Sequence, residues 1–101
     1  MYNNRNMDKM FNVSLPVNIL REGSKFIAYT PALELSTEGN TFEEAKKNFE
    51  EAVLIFFEEI TQEKKTEDAL SSLGWVRVNA KFVPPTMVST QNETFSIPLM
   101  Q

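Results

Sequence analysis

Apolar residues alternate strictly along the first patterned stretch of the chain, Phe11, Val13, Leu15, Val17 and Ile19 against Asn12, Ser14, Pro16 and Asn18. A period of two is that of a strand with one face buried. Pro16 has no N–H to give a ladder, which predicts an edge strand or a bulge at that point. Arg21–Ser24, with Gly23 available for a positive φ, predicts a turn into the β-forming run Lys25–Thr30, so the two strands should make a hairpin. Pro31 stops that run. Leu33–Thr37 predicts a short third strand, and Gly39 with Asn40 supplies the next turn.

The period then changes. Thr41 and Glu44 stand three apart, as in a capping box, and Glu43 and Glu44 suit the positive end of a helix dipole. Phe42, Ala45, Phe49, Ala52, Val53, Phe56, Phe57 and Ile60 follow at steps of three, four and seven, so residues 41–62 are predicted as a helix. At 100° per residue these side chains fall within an arc of about 140°, whereas Leu54 and Ile55 project outside it. Thr66, followed by Glu67 and Asp68, predicts the cap of a short helix running through Leu73, and Gly74 its stop. From Trp75, the residues Val76, Val78, Ala80 and Phe82 alternate with Arg77, Asn79 and Lys81, which predicts one further strand ending before Pro84. Phe95, Ile97 and Leu99 alternate again and suggest a short strand at the C-terminus. The fold class is therefore α+β, with a three-stranded antiparallel sheet, one long amphipathic helix packed on it (β-β-β-α), then a short helix and C-terminal strands. Residues 1–9 show no periodicity and read as a flexible leader, and residues 10–101 read as a single domain.

Composition narrows the function. Eleven of the 101 residues are aromatic and 42% are hydrophobic, enough for a packed interior. The formal charge of -4 opposes phosphate backbones and anionic membranes and favours a basic partner. Met1–Met10 contain no apolar run of the kind a secretory signal or a membrane span requires, so the cytoplasm is the default compartment.

The chain contains neither His nor Cys. The usual general acid–base residue, thiol nucleophiles, Cys-based zinc sites and disulfides are therefore all excluded. The pairs Glu43/Glu44, Glu50/Glu51 and Glu58/Glu59 diverge by 100° on a helix and read as a solvated face, not as a metal site. Three glycines form no phosphate loop. Lys46/Lys47 and Lys64/Lys65 are each neutralised by adjoining glutamates, and no DNA-reading module is apparent. The Phe-rich stripe of the long helix has the period of a core face. Leu54 and Ile55 are different, since two adjacent aliphatics on the outward side leave a patch suited to a partner, a second subunit or another layer of the domain.

From Phe26 onward the residues resemble the HicB-like antitoxin family. The resemblance is carried by FIAYTPALELSTEGNTFEEAKKNFEEAV (Phe26–Val53), in which a strand ending in Tyr-x-Pro meets a Gly-x-Thr turn and an amphipathic helix that begins Glu-Glu-Ala. KKTEDALSSLGW (Lys64–Trp75) is similar to one subgroup of that family. The resemblance implies a degenerate RNase H-like β-β-β-α core that has lost catalysis and neutralises HicA, a small basic toxin that cleaves mRNA. Where many relatives have Pro-x-Leu-Pro-Gly-Cys, this chain has Pro31-Ala32-Leu33-Glu34-Leu35. Many relatives append a helix-turn-helix or ribbon-helix-helix segment, whereas residues 76–101 read here as strands and loop, so no direct DNA binding is expected of this chain alone.

These readings converge on a non-enzymatic antitoxin-like protein that masks a HicA-like toxin ribonuclease, expected as a homodimer, with no cofactor, metal or membrane. Its candidate partner-binding residues are Leu54, Ile55, Tyr29, Glu34 and Glu38. The alternative is a stand-alone regulatory or small-ligand-binding module that kept the fold without a toxin partner. An active RNase H-type nuclease is the remote third reading, because it needs convergent carboxylates and the strands offer mainly Glu34 and Glu38.

Overall fold

The computed structural model describes residues 12–99. The leader at residues 1–9 and Phe11 lie outside these described residues. Strands β1 (Asn18–Glu22), β2 (Lys25–Thr30) and β3 (Leu35–Gly39) form an antiparallel sheet in the order β1-β2-β3, and helix α1 (Phe42–Gln62) packs on one face of it. A short helix α2 (Thr66–Ser72) and a separate hairpin of β4 (Val76–Val78) and β5 (Lys81–Val83) follow. The architecture is the α+β arrangement predicted from the period changes.

Glu22 pairs with Lys25 across a two-residue loop, in which Gly23 has φ +62°. This is a backbone conformation that a Cβ would penalise. Alternation then assigns Phe26, Ala28 and Thr30 to the helix-facing side, with Ile19 opposite Ala28 and Thr37 beside it on β3. Ala28 and Thr30 are fully buried there. Small residues let the helix approach closely: Ala45 is buried against Ala28 and Phe49, and Thr37 Oγ1 donates to the Ala45 carbonyl at 3.1 Å. Asn48 Nδ2 ties the next turn to the Glu38 carbonyl at 3.0 Å. A second cluster around Ala32, Leu33, Leu70 and Trp75 occupies the other end of α1, and Leu35 and Val53 pack against both clusters.

The start of α1 is capped as its sequence predicts. Thr41 Oγ1 accepts the Glu44 N–H at 3.0 Å, while the Glu44 carboxylate accepts the N–H of Asn40, one residue ahead of the usual capping-box donor. Both helices end in the same motif. Lys64 N–H donates to the Thr61 carbonyl and Lys65 N–H to that of Ile60; Gly74 N–H donates to Ser71 and Trp75 N–H to Leu70. These are the paired bonds of a Schellman cap, with Lys64 at φ +58° and Gly74 at φ +92° in the left-handed position. At the second cap Trp75 also packs on Leu70, the apolar contact that accompanies this motif.

Several expectations are corrected. Among the described residues the first strand begins only at Asn18, because residues 12–17 join no ladder; their alternation reflects Val13 and Leu15 packing on the second cluster. Pro16 lies in that segment, and β1 is an edge strand. The third strand starts at Leu35, since Leu33 is buried within the 31–34 turn and Glu34 has φ +50°. Gly39 is the last residue of β3 rather than a turn residue, and its role is close approach: a Cβ there would lie 2.4 Å from the Ala45 nitrogen. Thr66 is not a cap but the first helical residue, its hydroxyl bonded to the Ile60 carbonyl at 3.4 Å. Residues 75–82 are not one strand but a hairpin folded at Asn79 and Ala80, both with positive φ. Phe95, Ile97 and Leu99 form no strand, since no ladder partner lies beside them. Phe42, within the apolar arc, is 46% exposed at the mouth of α1, where the sheet has already ended at Gly39.

Candidate partner-binding surfaces

The sequence-predicted positions divide between two surfaces. The first is the sheet face opposite α1. With Asn18 opposite Tyr29, Ile27 opposite Glu38 and Tyr29 opposite Ser36, strand alternation places Leu20, Ile27, Tyr29 and Glu38 on this one side. Leu20 is 59% exposed, and Ile27 and Tyr29 are half-buried between their neighbours. Glu22 lies on the same face at the hairpin end, and Glu38 reaches Lys25 at 3.9 Å. That ion pair is exposed on both sides, so it constrains the face weakly. The surface is thus an aromatic and aliphatic centre with a mainly acidic rim. Glu34 does not join it through a strand: it stands exposed in the turn between β2 and β3.

The second surface lies on α1. Leu54 and Ile55 are 66% and 53% exposed, as their angular positions outside the core arc predict. They do not act as one patch. Leu54 faces an open apolar groove of about 520 Å³, whereas Ile55 is not among the residues that line it. One wall of the groove is the unpaired segment through Val13, Leu15 and Val17; the other is Phe49, Val53 and Leu54. It exists because α1 lies chiefly over β3 and β2 and barely touches β1, which leaves the β1 side of the helix uncovered. At its lip Lys46 and Glu50 pair at 3.4 Å, one helical turn apart, so the groove carries little net charge. Sequence reasoning missed this groove. Its apolar wall is visible in the sequence as alternation, which by itself predicts a paired strand.

Among the described residues, no three His, Cys, Asp or Glu side chains converge, and no helix is long and apolar enough to cross a membrane. No protein-family model matches the chain, and neither a curated protein nor a solved structure matches it significantly.

Proposed function

We propose that this chain is an antitoxin-like binding protein that masks a small basic HicA-type ribonuclease in the cytoplasm and performs no catalysis itself. The observation that carries this reading is the open sheet face, where Leu20, Ile27 and Tyr29 are bordered by Glu22 and Glu38 on a chain of net charge -4. An aromatic centre with a polar rim is the anatomy of a protein–protein interface, and an acidic field draws in a basic enzyme while imitating the sign of its RNA substrate. The resemblance of Phe26–Val53 to HicB-like antitoxins supports the same reading, since that segment contains all of β2 but its first residue, β3 and the first half of α1. The test is co-expression with a short basic ribonuclease encoded beside it. Relief of growth arrest together with co-purification at low salt is the expected result. Failure of the two purified proteins to associate at low salt overturns the reading.

A further inference from the structure

We propose that the apolar groove beside α1 receives the C-terminal tail of a second copy of this chain, so that two copies exchange tails. The groove and the tail are both bare within a single chain. After Val83 none of the described residues joins a helix or strand, and Val88, Phe95, Ile97 and Leu99 stand 95%, 73%, 80% and 87% exposed. The spacing of the last three puts them on one side of an extended segment, which is the form in which a strand-like peptide enters a groove. On the groove wall, residues 12–17 join no ladder, and their Val13, Leu15 and Val17 repeat at the same period of two.

Charge favours the tail over a charged partner. Residues 86–99 contain Glu93 as their only ionisable side chain, and the groove's own Lys46 and Glu50 neutralise one another. Area favours a pair of copies. Four large apolar side chains offer roughly 100 Å² each, so two tails and the smaller groove surfaces they cover remove roughly 1,000 Å² from water, the threshold a specific interface must reach and one that a single tail would miss. Reciprocal exchange also closes on itself with twofold symmetry and leaves no further groove unfilled. This inference stands independently of the toxin reading.

The absence of native cysteine makes the test direct. Leu54→Cys and Ile97→Cys alter two exposed positions, one on the groove wall and one on the tail. Mixed under mild oxidation, the two single variants should give a disulfide-linked heterodimer in preference to either homodimer. The unmodified chain should be dimeric by analytical ultracentrifugation at micromolar concentration, and Leu54→Asp should weaken that dimer tenfold or more while its circular dichroism stays unchanged. A monomeric unmodified chain overturns the proposal. So does a Leu54→Cys homodimer that outcompetes the mixed product, which would place helix against helix. An intrachain disulfide in the double variant, without interchain product, would show the tail on its own groove and overturn the exchange.

Discussion

Trp75 Nε1 donates a hydrogen bond to the Ala32 carbonyl at 2.8 Å, joining residues 43 apart in sequence. Both residues are buried, 3% and 0% exposed, so the carbonyl has no solvent to turn to. The bond fastens the end of α2 to the turn between β2 and β3, and the Trp75 ring meets Phe57 of α1 edge-on at 6.2 Å. Trp75→Phe keeps most of the packing and removes the donor. It should cost about 1–3 kcal/mol, the desolvation penalty of an unpaired buried acceptor. Trp75→Ala should cost about 3–5 kcal/mol, because a cavity is added. Urea midpoints at unchanged slope would establish both values; a Trp75→Phe midpoint equal to the unmodified one would mean that another donor satisfies Ala32.

Gly39 makes a sharper claim. An added Cβ would lie 2.4 Å from the Ala45 nitrogen and 2.9 Å from its Cα, and these are backbone atoms that cannot rotate away. Gly39→Ala must therefore push α1 off β3, straining the Thr37–Ala45 and Asn48–Glu38 bonds. A loss of about 1–3 kcal/mol is expected, which in a chain of this size lowers Tm by roughly 4–20 °C. Gly23→Ala provides the contrast: nothing lies within 4 Å, and only its φ of +62° opposes the change.

Left-handed residues that are not glycine mark where stability can be added. Lys64 sits at φ +58° in the cap of α1, and Ala80 at φ +66° in the two-residue turn of the β4–β5 hairpin. Lys64→Gly and Ala80→Gly should each stabilise by about 0.5–1 kcal/mol, because the relief of the left-handed penalty exceeds the extra chain entropy of glycine. Differential scanning calorimetry should show both transitions moving upward; a downward shift would mean that the side chains contribute more than the backbone loses.

The same turn explains what the sequence concealed. The long helix was legible because the capping box at Thr41 and Glu44 coincides with a change of period. The hairpin at 79–80 was not, because alternation of Val76, Val78, Ala80 and Phe82 runs unbroken through it. The register instead puts Val76, Val78, Lys81 and Val83 on one side and Arg77 with Phe82 on the other, where the guanidinium lies 5.1 Å from the ring centre. Asn-Ala also lacks the glycine that usually marks such a turn. Among the candidate residues, the exposure of Leu54 and Ile55 followed from angle alone. That Tyr29 and Glu38 share a face depends on strand register, which alternation within a single strand does not specify.

The open sheet face leads to the last prediction, on the proposed capture of a basic ribonuclease. Lys25 is the cation on that face, paired with Glu38 at 3.9 Å, and it works against a basic partner. Lys25→Glu should therefore raise the association rate, and Glu38→Lys should lower it. Each change should be roughly two- to fivefold, the scale of an exposed charge interaction, and each should shrink as salt shortens the reach of the field. Tyr29→Ala should act differently, weakening the complex tenfold or more through dissociation, since a central aromatic anchor holds the interface once formed. Leu54→Asp, on the far side of the molecule, should alter neither rate. Stopped-flow association at several ionic strengths, with urea midpoints to confirm each fold, separates these effects. If Leu54→Asp slows capture while Lys25→Glu and Tyr29→Ala leave it unchanged, the toxin-binding surface is the helix and its groove, not the sheet.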